Sequence, residues 1–206
     1  MTSYRHAARA AAVTAAVSAA ALTLAACGTD SGSTSATAST SASASAPGSA
    51  AGSLYNAADV AFAQGMIPHH RQAVEMADLA ATRASSAEVK KLAAEIKKAQ
   101  DPEIKTLSGW LTSWDAQVPT QGSMDHSGHS MPGMMADSDM STLEKATGPA
   151  FDTAFLNLMV KHHEGAVEMA RTEKSAGADK RAKDMADAII TSQSAEITRM
   201  NKLLDN

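Results

Sequence analysis

The chain has 206 residues, a single cysteine, 3% aromatic residues and a formal net charge of −4. One cysteine excludes an intramolecular disulfide, and the acidic balance argues against a nucleic-acid-binding protein, which needs a basic face. The length favours one domain with appendages.

The N-terminal residues have the features of an export signal rather than of a folded element. Arg5 and Arg9 precede an uncharged run of Ala, Val and Leu, and small residues lead to Cys27. This order predicts a signal peptide over residues 1–26. The segment "LAAC" resembles the bacterial lipobox, so Cys27 is predicted to be lipidated and to anchor the chain to the membrane on its extracytoplasmic side. An uncleaved anchor and an incidental thiol are the alternatives.

The predicted anchor continues into a tether that contains almost nothing to bury. Residues 27–53 consist of Cys27 followed by Ser, Ala, Thr and Gly, with few other residues. Such a composition is typical of a flexible linker. Without Arg5 and Arg9 the net charge is about −6. The folded domain is therefore predicted over residues 54–206, which is enough for one modest core.

That domain contains a duplicated unit. Residues 66–77 read "MIPHHRQAVEMA" and residues 159–170 read "MVKHHEGAVEMA". The same offset of 93 residues relates Asp59 to Asp152 and continues as far as Leu111 and Leu204. A constant offset over about fifty residues indicates a structural repeat.

Each repeat is predicted to form a helical hairpin, because its apolar residues follow a helical period and no alternation typical of strands occurs. The "SSAE" segment has the pattern of a capping box and begins the second helix. Two hairpins, at about 55–114 and 149–206, give an all-α four-helix bundle with a flexible connection at about 115–148. The predicted helices run from about Ala57 to Arg83, from the Ser85–Glu88 segment to about Trp114, from Gly148 to Gly177, and from Asp179 to Leu204.

Helical geometry places both histidine pairs on the inward face of the bundle. At 100° per residue, Met66, His69 and His70 share one face with the apolar residues of the first helix. Buried imidazoles are costly unless their polar atoms have partners. Ala73 lies one turn further and leaves space beside them. The duplicated His-His pairs therefore predict metal ligation, with core polar groups of a structural lipoprotein as the alternative.

A second set of polar residues is predicted to face the histidines from the paired helices. If the first turn centres near residue 84 or 85, Gln100 lies across from His69 and Glu103 lies near the level of Met66. We expect these side chains to orient the imidazoles. Direct ligation and interhelical hydrogen bonds are the alternatives. The set comprises Gln100, Glu103, Gln193 and Glu196.

The connection between the hairpins is rich in methionine and histidine at positions without helical period. Methionines among Gly, Ser, Pro and Asp gain little from packing and are open to oxidation. Thioether suits Cu(I), imidazole suits both copper states, and zinc more often uses Cys or carboxylate in place of thioether. An ordinary linker is the alternative. The predicted loop ligands are Met124, His126, His129, Met131, Met134, Met135 and Met140.

The doubled Met-x-x-His-His segments resemble the domain of unknown function family 305, which includes the CopM-like copper-binding proteins. The resemblance covers about residues 54–206. It implies a ferritin-like four-helix bundle outside the cytoplasm, with His/Met copper sites and a role in copper binding or resistance. The ligands that it implies are Met66, His69, His70, Met76, Met159, His162, His163 and Met169.

Together these features predict an envelope-anchored protein that sequesters, buffers or transfers copper. Cu(I) is favoured, Cu(II) is left open, and another copper-handling envelope protein would supply or take the ion. No catalysis is required. A ferritin-like di-metal oxidase or a cuprous oxidase is the alternative, but di-iron bundles use Glu-x-x-His pairs, and no Glu stands three residues before any of these four histidines.

Overall fold

The structure, a computed structural model, describes residues 54–120 and 131–205. Several predictions fall outside these ranges: the signal peptide, the lipidation of Cys27, the tether, and the ligands Met124, His126 and His129. Five helices account for most of the described residues, which contain no strand, and none of these helices is long and apolar enough to cross a membrane. The helices are α1 (Ala57–Arg83), α2 (Ala87–Ser113), α3 (Asp137–Lys145), α4 (Gly148–Ala176) and α5 (Lys180–Leu204).

Three of the four long helices begin at side-chain caps that the sequence provides. The Asn56 side chain accepts hydrogen bonds from the first turn of α1, and the Asp59 carboxylate accepts one from the Asn56 backbone. Ser86 caps α2 through its hydroxyl, so a simple N-cap replaces the predicted capping box. Pro149 lies in the first turn of α4, where its missing N–H is not needed. Asp179 caps α5.

The long helices form the predicted all-α bundle, built from the hairpins α1–α2 and α4–α5. The hairpins meet mainly through α1 and α4. Ala84 lies against Gly148 at one end of this pair, His69 lies on His162 in the middle, and Asp59 contacts Ala178 at the other end. The helices α1 and α4 are therefore antiparallel.

The connection between the hairpins differs from the expected flexible loop. Its residues 137–145 form α3, and Met140 and Leu143 of this helix are buried. Helix formation there follows from the spacing of these two residues, which lie three positions apart and therefore face the same side. A nine-residue helix is marginal by itself, so its packing against the bundle holds it.

Two equivalent aspartates join the hairpins reciprocally. Asp152 on α4 accepts hydrogen bonds from the backbone N–H groups of Ser85 and Ser86 in the turn of the first hairpin, at 3.1 and 2.9 Å. Asp59 on α1 accepts them from Ala178 and Asp179 in the turn of the second, at 3.1 and 2.9 Å. Each hairpin thus caps the turn of the other.

Buried apolar side chains form two clusters, at opposite ends of the α1–α4 pair. The Phe62 cluster includes Phe62, Met66, Ile67, Leu107, Leu111, Ala166 and Ile189. The Phe151 cluster includes Ala73, Met76, Leu92, Ile96, Phe151, Phe155 and Met159. On every long helix a short polar stretch separates the two clusters. We call these eight residues the polar layer: His69, His70, Gln100, Glu103, His162, His163, Gln193 and Glu196.

Candidate metal centre

The polar layer brings the two histidine pairs together in the middle of the bundle. The rings of His69 and His162 lie against each other in a tilted arrangement, with centroids 3.8 Å apart and an angle of 42° between their planes. The centroids of His162 and His163 are 6.3 Å apart. All four imidazoles are at most 1% exposed. The antiparallel register of α1 and α4 makes this contact, since it sets the equivalent histidines of the two repeats at one level.

The two glutamates of the layer contact the second histidine of each pair. We call His70 and His163 the outer histidines, and His69 and His162 the inner histidines. Glu103 Oε2 lies 2.7 Å from His70 Nε2, and Glu196 Oε2 lies 2.7 Å from His163 Nε2. A carboxylate accepts a hydrogen bond from Nε2–H, which in the neutral ring leaves Nδ1 as the nitrogen with a free lone pair. The predicted role of these glutamates in orienting the imidazoles requires this contact. That the imidazoles bind copper remains a prediction.

Several buried polar atoms in the layer have no hydrogen-bond partner. They include Nδ1 of all four histidines and Nε2 of His162. Both amide atoms of Gln100 and the amide oxygen of Gln193 belong to the same set. Buried polar groups without partners are rare in proteins and call for an explanation such as a bound ion. The layer therefore has the donor atoms, and the unmet need, that fit a metal ion.

The inner histidines are held neutral. Burial lowers the pKa of His69 to about 3, with a protonated His70 acting in the same direction and the Pro132 carbonyl opposing. Burial also lowers the pKa of His162 well below its ordinary value, with His69, His163 and His70 acting in the same direction. Neutral imidazole is the form that binds metal ions, so these rings need no deprotonation at neutral pH.

The side chains do not yet converge on one point. Within residues 54–120 and 131–205, no group of three His, Cys, Asp or Glu side chains is arranged to hold a metal ion. An ion bound at the layer would therefore require the imidazole rings to rotate, or thioether ligands to join them.

The predicted methionine ligands of the bundle lie on both sides of the layer. Met66 belongs to the Phe62 cluster and Met169 packs against it. Met76 and Met159 belong to the Phe151 cluster. Each cluster thus combines the first methionine of one repeat with the second methionine of the other. All four methionines except Met169 are fully buried.

A short segment of the connection lies across the histidines. Residues 131–135, "MPGMM", form what we call the strap. The Pro132 carbonyl oxygen lies 3.1 Å from His69 Nε2. The strap brings Met131, Met134 and Met135 to the bundle, where each is partly buried. Met140 differs from the predicted loop ligand, because it packs in the Phe151 cluster as a core residue of α3.

Sequence reasoning missed the two residues that seat the strap. The Gln72 side chain donates to the Met135 carbonyl at 3.0 Å and accepts from the Met135 N–H at 2.8 Å. A Cβ atom on Gly165 would lie 2.1 Å from the Pro132 carbonyl oxygen, so only glycine allows this approach. The repeat contains a signal for both residues. Gln72 and Gly165 occupy equivalent positions in the two repeats, and their residue types differ.

Comparisons with known proteins agree with this architecture. The family profile described as "Domain of unknown function (DUF305)" matches residues 59–204. A DUF305 protein from Streptomyces coelicolor that is inferred to be secreted is 34% identical with a TM-score of 0.65, covering 72% of this chain and 91% of that chain. A comparison with curated proteins finds no match.

Structures of CopM are similar as well. The Cu(I)-bound form is 34% identical with a TM-score of 0.61, and the match covers 72% of this chain and 96% of CopM. The Cu(II)-bound form is 37% identical with a TM-score of 0.63 and the same coverage. CopM also has an Ag-bound form.

Proposed function

Since this chain belongs to the DUF305 family, we propose that it is an extracytoplasmic copper-binding protein that holds the ion at the polar layer. It sequesters, buffers or transfers copper, with Cu(I) preferred. The similarity to CopM, a protein with Cu(I)-, Cu(II)- and Ag-bound forms, supports the choice of ion.

One observation carries the proposal: four buried imidazoles each present an Nδ1 atom without a partner. A structural polar layer would lower its free energy by pairing these atoms, because an unsatisfied buried polar group costs about 1–3 kcal/mol. A bound copper ion would offset that cost, because imidazole is a ligand for both oxidation states of copper. The methionines beside the layer favour Cu(I) further.

The proposed role is ligand exchange rather than catalysis. Neutral imidazole and thioether accept and release the ion without a proton-transfer step. A di-metal oxidase would need carboxylates that bridge two ions, whereas Glu103 and Glu196 are engaged with imidazoles. Copper-loaded protein should therefore consume no oxygen above the background of free copper, measured with an oxygen electrode.

The location in the envelope follows from the N-terminal residues. Lipidation at Cys27 would tether the bundle to the membrane through residues 28–53, within reach of a second copper-handling protein. Replacement Cys27→Ser should move the protein from the membrane fraction to the soluble fraction of cells, and retention in the membrane would exclude the lipid anchor.

The binding site is tested by titration of the chain without residues 1–27. Cu(I) is added anaerobically in competition with a chromophoric chelator. The His69/His162→Ala variant should lose tight binding, whereas the matched His126/His129→Ala variant should lose at most secondary capacity. Equal affinity of the two variants would exclude the layer as the copper site, and no competition by the wild type would exclude copper as the ion.

A further inference from the structure

Two methionines from different elements meet over a glycine outside the polar layer. A Cβ atom built on Gly65 would lie 2.9 Å from Met169 Cε and 3.6 Å from Met131 Sδ. One of these side chains belongs to α4 and the other to the strap, yet both end within 4 Å of one point on α1. The absence of a side chain at Gly65 is what leaves room for them.

The duplication shows that this arrangement exists in only one half of the molecule. Gly65 is equivalent to Leu158, a partly buried side chain packed against the Phe151 cluster. Met169 is equivalent to Met76, which is fully buried. The other half therefore has a filled, closed version of the same place, and packing alone does not require a glycine here.

The paired methionines are accessible, in contrast to the histidines. Met131 and Met169 are both partly exposed. Met169 lines an open pocket of about 280 Å³ between α1 and α4, together with Pro132 of the strap and the exposed Glu168. A cation in this pocket would meet the carboxylate of Glu168 and the thioether of Met169, since both line it. Pro132 links the pocket to the layer, because its carbonyl contacts His69.

From this geometry we propose that Met131 and Met169 form an outer thioether site for a soft monovalent ion, separate from the polar layer. The inference extends the proposed copper function and rests on it for the class of ion. Two neutral thioethers select Cu(I) or Ag(I) over harder ions. Methionine side chains adapt easily, so the two sulfur atoms can close on an ion without movement of the helices. A site with two such ligands binds weakly, as suits an ion that is passed on.

The test follows the methionine methyl groups by NMR in protein labelled with ¹³C at Cε, with Ag(I) as a redox-inert probe. The Met131 and Met169 signals should shift together, with one common dissociation constant. Replacing either residue with leucine, which conserves volume, should weaken the response of the other by about tenfold or more, as the loss of groups around metal sites does. Gly65→Leu, which restores the residue of the other repeat, should have the same effect.

Met200→Leu is the matched control, because Met200 is fully buried in the Phe151 cluster, at the other end of the bundle, and has no predicted ligand role. It should leave the response of Met131 and Met169 unchanged, and thermal unfolding should show all variants to be folded. If Met169 responds equally with Met131 replaced, the two residues do not share an ion and the proposal is wrong.

A second arm separates the outer site from the polar layer. In the His69/His70/His162/His163→Ala variant, the signals of Met131 and Met169 should still shift with Ag(I). Loss of that shift would assign both methionines to the histidine site and overturn the separate one. In wild-type protein, ¹⁵N signals of the imidazoles report the layer: a response there without one from the methionines would remove this inference and leave the proposed function intact.

Discussion

At the scale of single residues, the four histidines of the polar layer have different hydrogen-bond partners, although their side chains are chemically identical. His70 and His163 each face a glutamate at 2.7 Å, whereas His69 faces a backbone carbonyl and His162 has neither nitrogen paired. The backbone carbonyl of His69 lies near His162, but outside hydrogen-bond geometry. His162 is thus the imidazole with most freedom to accept an ion.

The two glutamates should influence copper affinity through the imidazoles that they contact. Glu103→Gln together with Glu196→Gln removes the charges that fix the Nε2 proton and raise the basicity of Nδ1. We expect a loss of about 10- to 100-fold in Cu(I) affinity, measured by chelator competition at fixed pH. Glu75→Gln, on the exposed side of α1, is the control and should bind as the wild type does.

Glu173 is a buried carboxyl group outside the layer, and it makes stability depend on pH. It is 1% exposed. A Cβ atom on Gly177 would lie 2.1 Å from its Oε1 and 2.8 Å from Asp59 Oδ1, so the two carboxyl groups lie side by side. Burial raises the pKa of Glu173 to about 8, with the hydrogen bond and the charge of Asp59 acting in the same direction and Lys183 opposing.

The folded state binds the proton of the Glu173 carboxyl group more tightly than the unfolded state does. The resulting contribution to the free energy of unfolding is therefore fully present at pH values below the ordinary pKa of 4.5. It is lost as the pH rises from there to about 8. Glu173→Gln removes the dependence, so the variant should be more stable than the wild type at pH 8.5, by roughly 1–2 kcal/mol. Urea unfolding at pH 4 and pH 8.5 tests this, and an equal difference at both pH values would contradict it.

At the scale of elements, the strap is where the two hairpins stop being equivalent. Gln72 grips Met135, and Gly165 permits the close approach of Pro132. Gly133 adopts a positive φ of 78°, and a Cβ atom there would come within 2.8 Å of the α4 backbone. The strap therefore follows a defined path over α4. The repeat alone would allow the strap to lie over either hairpin.

Gly165→Ala should release the strap, because the added methyl group occupies the place of the Pro132 carbonyl. The N–H of Met135 would lose its partner on Gln72, and its hydrogen exchange should become at least about tenfold faster, as expected when local opening becomes easier by 1.4 kcal/mol. Gly109→Ala on α2 is a matched control, since nothing lies within 4 Å of a Cβ atom there. Unchanged protection of Met135 in Gly165→Ala would show that the strap tolerates the methyl group.

At the scale of the whole molecule, the hairpins are held together by reciprocal contacts at both ends of the α1–α4 pair. Asp152 binds the first turn through the backbone of Ser85 and Ser86 and through the Ser85 hydroxyl. Asp59 accepts hydrogen bonds from the backbone N–H groups of Ala178 and Asp179 in the second turn. These contacts maintain the register that sets His69 on His162.

Asp152→Ala should therefore destabilise the fold more than the loss of a surface charge does. It leaves two backbone N–H groups without their acceptor, and we expect a loss of about 2–3 kcal/mol in the free energy of unfolding, measured with urea. The control is Asp184→Ala, which removes an exposed pair with Lys180 and should cost less than about 1 kcal/mol. Similar losses in both variants would mean that the turn contact contributes little.

The sequence by itself determined the four long helices and their inward faces, but not α3. These follow from local rules: the helical period, the helix start at Asp179, and the 93-residue offset that repeats Glu103 as Glu196. They also sufficed for the all-α bundle and for the family, both of which are confirmed.

Tertiary structure alone decided how the two hairpins meet. A duplicated sequence is compatible with parallel or antiparallel packing of α1 and α4, because the repeat encodes each hairpin and not the contact between them. The antiparallel packing brings His69 against His162 and keeps both rings neutral by burial. It also creates the path on which the strap brings Met131 to Met169. These contacts join residues far apart in the chain, and no local pattern specifies them.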